Sequence, residues 1–175
     1  MAWSPAQSAS LRLIMMLLAV ALVFTGALTA HAQDTEWGHV VVPALGISTA
    51  IVTAPVVLPT WDVSQLGARA GWLEMTGWFG QPGNAVLAGH STTPDLQPST
   101  WYNLHNLSAG DEVIVTVGGV ELRYAVAGVY RVRDTDMSLV LPTQHEQLTL
   151  MTCAVDSWNG YTFTERIMVV TFPVR

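Results

Sequence analysis

The segment Thr149-Leu150-Met151-Thr152-Cys153 is a strand-like run that ends in the only cysteine of a 175-residue chain. Thirteen residues further on, Arg166 opens a second apolar run. Upstream, the apolar residues 85–89 are followed directly by His90. Short apolar runs bounded by turn residues predict strands. A thiol, an imidazole and a guanidinium at strand ends predict a covalent catalytic site, in the chain order His, Cys, Arg.

Composition and charge exclude several classes of function. Half of the residues are apolar, so one domain of this length can bury a sizeable core. The net charge is −6 and lysine is absent, which argues against nucleic-acid binding, since phosphates require a basic surface. One cysteine cannot form a thiolate metal cluster, and the five histidines form no HExxH pair. Neither a metal ion nor another cofactor is therefore expected.

Residues 1–32 are predicted to be a signal peptide or a membrane anchor. Residues 13–30 carry no charge and follow Arg12, and a bilayer-spanning helix needs roughly 17–25 such residues. Ala30-His31-Ala32 also fits the small-x-small rule of signal peptidase, so that cleavage after Ala32 would give a secreted protein. The length of the run favours a retained anchor. In both cases the domain that follows is extracytoplasmic, at the cell surface if anchored.

Beyond a polar spacer at residues 33–38, residues 39–175 are predicted to form one β-rich domain. Gly118-Gly119 lies between two β-rich runs and predicts a hairpin. Residues 59–73 alternate Trp, Leu and small residues without a clean period, which predicts a short helix or 3₁₀ turn. Many short strands separated by turn residues indicate an all-β sandwich or a closed barrel.

Each candidate residue also has a plain structural explanation. A lone cysteine in an exported domain is either buried and inert or reactive. His90 could be a turn residue, and Arg166 could pair with Glu165 or Glu121. The three together favour catalysis, with Cys153 as nucleophile, His90 as acid–base group and Arg166 as donor to an oxyanion or to the substrate backbone. No role is assigned to the remaining histidines, which are His31, His39, His105 and His145. If His90 is not the acid–base group, His145 is the next candidate.

These segments resemble the sortase family. The run that ends in Cys153 is similar to the TLxTC signature of that family, and residues 87–90 resemble the strand and loop that bear its catalytic histidine. Arg166 and the apolar residues after it resemble the arginine strand. Less diagnostic similarity extends the resemblance over residues 39–172. The three elements in this order are a specific sign of the family.

The resemblance implies a closed eight-stranded antiparallel β-barrel with short helical turns, preceded by an N-terminal hydrophobic helix. It implies a cysteine transpeptidase that cleaves an LPxTG-like sorting signal on surface proteins and forms a thioester on Cys153. An amine of a cell-wall precursor or a pilin would then accept the acyl group. His90 would protonate the departing amine, and Thr152 is expected to shape the substrate pocket. The connection at residues 130–146 is expected to line the substrate groove.

Two other functions stay open from the residues alone. The first is an exported cysteine peptidase or hydrolase of cell-wall peptides, although NlpC/P60-like and papain-like enzymes place the cysteine before the histidine. The second is a non-catalytic exported β-barrel binding module in which Cys153 is buried. Reaction of the folded protein with a thiol reagent separates the binding module from the enzymes.

Overall fold

A computed structural model describes residues 35–174, which contain ten β-strands and four short 3₁₀ helices. The strands are β1 (Gly38–Val42), β2 (Ile47–Ala54), β3 (Val56–Val57), β4 (Thr60–Trp61), β5 (Ala70–Leu73), β6 (Gly83–Ala88), β7 (Glu112–Val117), β8 (Val120–Arg133), β9 (Glu146–Cys153) and β10 (Glu165–Pro173). The 3₁₀ helices are Pro43–Leu45, Leu104–Asn106, Ser138–Val140 and Val155–Ser157. The N-terminal helix predicted within residues 1–32 lies outside the described residues. Within residues 35–174, no helix is long and apolar enough to cross a membrane.

Eight of the strands close into a barrel in the order β1-β2-β5-β6-β9-β10-β8-β7, which confirms the predicted eight-stranded barrel. Six of its neighbouring pairs are antiparallel, as expected. The β2–β5 and β6–β9 pairs are parallel instead. The chain between β2 and β5 contains β3 and β4, and the chain between β6 and β9 contains β7 and β8, so the second strand of each parallel pair begins at the same end of the barrel as the first. We call the end at which β6 and β9 finish the upper end.

The segment at residues 59–73 was predicted incorrectly as a helix or 3₁₀ turn. It contains β4 and β5, and β5 is a full member of the barrel. The alternation of β5 is hard to detect because the strand is short and includes small residues. Gly71 is small by necessity, since a Cβ there would lie 2.6 Å from the Leu66 side chain and 3.1 Å from the Cβ of Ala54.

The hairpin predicted at Gly118-Gly119 is confirmed and joins β7 to β8. The two glycines have φ angles of 57° and 80°. Positive φ at both central residues is the requirement of a type I′ turn, which glycine meets without a steric penalty. This turn sets the register in which Val117 faces Val120.

The strand period of two separates an interior core from a second core on the outside of the barrel. Cys153 lies two residues after Met151, and Arg166 lies two residues before Met168, so that both side chains point outward at the upper edge of the outer core. The outer core consists of Ala54, Leu73, Val86, Ala88, Val140 and Met168, with Trp61, Val63, Val132, Leu139 and Met151 packed against it.

Candidate active site

Cys153 and Arg166 are direct neighbours across two antiparallel strands. Cys153 is the last residue of β9, and its register partner on β10 is Arg166. Residues directly opposite each other in an antiparallel pair have their Cβ atoms roughly 4.5–5.5 Å apart and on the same face of the sheet. The spacing along the sequence therefore brings a thiol beside a permanent cation.

His90 reaches the same place from the parallel strand β6. The β6–β9 register pairs Ala88 with Met151, and the backbone N–H of Gly89 donates to the carbonyl of Met151 at 3.0 Å. Continuation of this register places His90 next to Cys153. Both residues line one cavity of about 560 Å³. The structure thus brings His90, Cys153 and Arg166 together at the upper rim of the barrel.

Thr152 points to the inner side of the sheet and holds the segment that carries the histidine. Its side chain is only 3% exposed, and its hydroxyl donates to the carbonyl of Gly89 at 2.7 Å. A hydroxyl used in this way connects the cysteine strand to the residue before His90. The expected contact of Thr152 with substrate stays a prediction, and the described contact is with the protein backbone.

Gly89 is required by the indole that packs beneath the site. A Cβ on Gly89 would lie 2.2 Å from ring atoms of Trp101, a separation that real side chains do not adopt. Trp101 is fully buried, and its backbone N–H donates to the carbonyl of His90 at 3.2 Å. The glycine before the histidine therefore lets a large buried ring support the strand end.

The contact of His90 with Val63 determines which ring nitrogen handles protons. His90 Nε2 lies 2.9 Å from the backbone oxygen of Val63. A carbonyl oxygen only accepts hydrogen bonds, so this contact requires the proton on Nε2. In the neutral imidazole the lone pair is then on Nδ1, which becomes the nitrogen that can take up and return a proton.

The surroundings of Cys153 favour the thiol over the thiolate. Burial raises the pKa of the Cys153 thiol, the Arg166 guanidinium opposes this shift, and the Asp134 carboxylate adds to it. The thiolate is the reactive species, so a base must remove the proton as the reaction begins. His90 is the group in place to do so.

Arg166 keeps donors available for a ligand. Its Nη1 donates to the carbonyls of Phe163 at 2.8 Å and Glu165 at 3.1 Å, which fixes the guanidinium plane. The Glu165 carboxylate forms its ion pair with Arg131 instead. Within residues 35–174, Nε and Nη2 of Arg166 make no hydrogen bond, and both can donate to a carbonyl oxygen or an oxyanion.

The other proposed ion-pair partner of Arg166 is also engaged elsewhere. Glu121 forms an ion pair with Arg123 at 2.6 Å. Arg166 does point outward, but among residues 35–174 neither carboxylate pairs with it, so its explanation as an ion-pair residue is wrong. Its guanidinium is held by backbone carbonyls beside the thiol.

Cys153 lies between two cavities. The cavity that it shares with His90, which we call the His90 cavity, has an apolar wall formed by Leu96, Trp158 and Phe163. The Trp158 and Phe163 rings pack 4.8 Å apart. The second cavity, of about 590 Å³, is named the tyrosine cavity after Tyr102 and Tyr130, and His105 and Asp156 are among its other lining residues. A thiol between two cavities can meet one reactant on each side.

The structure changes the ranking of the other histidines. His145 directly precedes β9, at the lower end, and its ring packs 5.4 Å from that of Phe172. Since β9 has eight residues at roughly 3.3 Å each, His145 is far from Cys153 and cannot replace His90. His105 lines the tyrosine cavity with Cys153, and no pattern in the sequence marked it. Residues 35–174 contain no cluster of three or more potential metal ligands.

Comparison with known proteins agrees with this geometry. The family described as Sortase domain matches residues 40–174. Sortase A from Corynebacterium diphtheriae, as a lid mutant, is 22% identical, with a TM-score of 0.67, over 84% of this chain and 74% of that one. A sortase D5 transpeptidase from Clostridium perfringens is 18% identical, with a TM-score of 0.66, over 86% of each chain.

A third structure, the pilus-related sortase C of Group B Streptococcus, is 23% identical, with a TM-score of 0.66, over 81% of this chain and 69% of that one. No curated protein is significantly similar to the chain in sequence. At these identities the likeness to solved structures establishes the fold. The family match covers most of the chain, and the protein belongs to the sortase family.

Proposed function

We propose that the protein is a cysteine transpeptidase that cleaves an LPxTG-like sorting signal and transfers the acyl part to an amine. The observation that carries this proposal is the meeting of His90, Cys153 and Arg166 at one rim, with a cavity on each side of the thiol. The family fold and the sortase match support the same reaction type.

In the first half-reaction, His90 Nδ1 takes the proton of the Cys153 thiol, and the sulfur attacks the carbonyl carbon of the threonine in the signal. The carbonyl oxygen becomes an oxyanion, to which Nε and Nη2 of Arg166 donate. Collapse of this intermediate breaks the C–N bond and leaves a thioester on Cys153. His90 returns its proton to the departing amine.

In the second half-reaction, His90 takes a proton from the acceptor amine as its nitrogen attacks the thioester. Collapse breaks the C–S bond, forms a new amide and restores the thiol of Cys153 with the proton from His90. Because His90 handles the amine proton in both steps, we assign the amine to the His90 cavity. The acceptor class we propose is a cell-wall precursor or a pilin.

The test of this function is incubation with a fluorogenic LPxTG-type peptide, with and without an amine acceptor, followed by mass spectrometry of the products. We expect a new amide when the amine is present and no turnover by Cys153→Ala. Products of hydrolysis alone would favour the exported hydrolase. A folded protein that turns over no peptide and does not react with thiol reagents would be a binding module.

We also propose that the catalytic domain works outside the cell and stays attached to the membrane through residues 13–30. The uncharged run exceeds the roughly 7–15 apolar residues of a typical signal peptide core. Confinement at the surface would raise the effective concentration of membrane-held precursors. Cell fractionation with N-terminal sequencing tests this, and a soluble protein that begins at Gln33 would contradict the anchor.

A further inference from the structure

A buried hydrogen-bond network fastens the connection between β8 and β9 to the barrel wall. The side-chain amide of Asn84, at the start of β6, donates to the carbonyls of Leu139 at 2.9 Å and Leu141 at 3.2 Å. The Thr149 hydroxyl on β9 donates to the Asn84 carbonyl oxygen at 2.8 Å. Gln147 in turn donates to the Thr149 hydroxyl at 3.0 Å.

The side chains of this network have almost no solvent exposure, and the backbone at Asn84 is tightly packed. Asn84 is 1% exposed, and Thr149 is fully buried. The backbone of Asn84 is fixed by Gly77, whose N–H donates to the Asn84 carbonyl at 2.7 Å. A Cβ at position 77 would lie 2.6 Å from the Asn84 nitrogen, so the two segments are in close contact. Water cannot easily replace a partner that is lost in such a place.

The connection that Asn84 holds packs on the outer core of the barrel, and Cys153 lies at the upper edge of that core. Leu139 and Val140 pack on the outer core of the barrel. Cys153 and Arg166 point outward at the upper edge of the same core, as described above. Val140 and Leu141 line a cavity of about 430 Å³ beside this outer core, separate from the two cavities at Cys153. An acyl donor whose reacting carbonyl lies at Cys153 and whose chain extends along the outer core would reach this cavity, so the position of residues 138–141 would shape that part of the groove wall.

Only a carboxamide satisfies all of these contacts. Asn84 uses both N–H donors on carbonyls and its oxygen on a hydroxyl, so that its whole hydrogen-bonding capacity points at the connection and at β9. A carboxylate would place an acceptor against the carbonyls of Leu139 and Leu141 and would carry a buried charge. An aliphatic side chain would leave the two carbonyls without these donors.

We propose that Asn84 is a positioning residue for recognition of the acyl donor, which it serves by fixing residues 138–141 against the barrel. Asn84 itself touches neither the thiol nor the imidazole in this assignment. The inference rests on the proposed function, since it assigns a role in binding the sorting signal. It predicts a specific kinetic signature, because the wall of the groove would move while the catalytic residues stay in place.

The experiment compares full-length wild type, Asn84→Asp and Thr149→Val, with Thr149→Ser as the control that keeps the hydroxyl. For Asn84→Asp we expect KM for the LPxTG-type peptide to rise about tenfold and kcat to change by less than about threefold. Thr149→Val should show a smaller rise in KM, and Thr149→Ser should resemble wild type. The rate at which iodoacetamide alkylates Cys153 should not change.

Hydrogen exchange supplies a readout that needs no turnover. Amides of residues 137–141 should exchange faster in Asn84→Asp and Thr149→Val, with exchange in β9 and β10 unchanged. Unchanged KM and unchanged exchange in a folded variant would overturn the inference. So would an equal loss of kcat and alkylation rate, which would indicate general damage. If wild type turns over no sorting peptide, the proposed function fails, and the exchange result still decides whether Asn84 holds the connection.

Discussion

Removal of the Thr152 hydroxyl is the sharpest test of how the active site is assembled. In Thr152→Val the shape of the buried side chain is conserved, and only the 2.7 Å hydrogen bond to the Gly89 carbonyl is lost. A buried hydrogen bond of this kind contributes about 1 kcal/mol to stability. For a domain of this size that corresponds to a decrease in Tm of roughly 3 °C.

The same change should reduce catalysis through the next residue. Gly89 precedes His90, so loosening the strand end displaces the imidazole from the thiol. A displacement of about 1 Å can cost on the order of a hundredfold in rate, and we expect kcat to fall by at least about tenfold. KM should stay near the wild-type value, since the hydroxyl faces the protein backbone.

The assay combines thermal unfolding, followed by near-UV circular dichroism, with steady-state peptide cleavage. Thr152→Ser keeps the hydroxyl and should retain most of the activity. If Thr152→Val instead raises KM and leaves Tm and kcat unchanged, Thr152 contacts the substrate. The argument from the Gly89 hydrogen bond would then be wrong.

Three further predictions concern the candidate catalytic residues themselves. In peptide cleavage, His90→Ala should lose several orders of magnitude in kcat, whereas His105→Ala should retain most of the wild-type kcat. Equal losses in the two variants would refute the assignment of His90 as the base. Arg166→Lys should recover little of the kcat/KM lost in Arg166→Ala, since an ammonium cannot reproduce the planar donors; full recovery would mean that charge alone matters. Burial raises the pKa of the Cys153 thiol and the Asp134 carboxylate adds to this rise, so Asp134→Asn should lower that pKa slightly and speed iodoacetamide alkylation at neutral pH. An unshifted pH–rate profile would contradict this.

The pairing of Cys153 with Arg166 was accessible from the sequence because it depends on local geometry. Two apolar runs joined by one polar loop, residues 154–164, form adjacent antiparallel strands, and the register then brings the end of one run opposite the start of the next. His90 could be recognised only as a histidine after an apolar run. Its position beside Cys153, in a cavity that both residues line, arises from the parallel β6–β9 pair, whose partners are far apart in the sequence.

The sequence by itself determined the β-rich domain and the Gly118-Gly119 hairpin and predicted the three candidate catalytic side chains, because each depends on local periodicity, turn chemistry or a motif. Only the tertiary structure decided that β5 is a barrel strand, that Thr152 bonds Gly89 and that Val63 sets the His90 tautomer. These contacts join segments far apart in the chain. No local pattern in the sequence indicates these contacts, because they form only when the barrel closes.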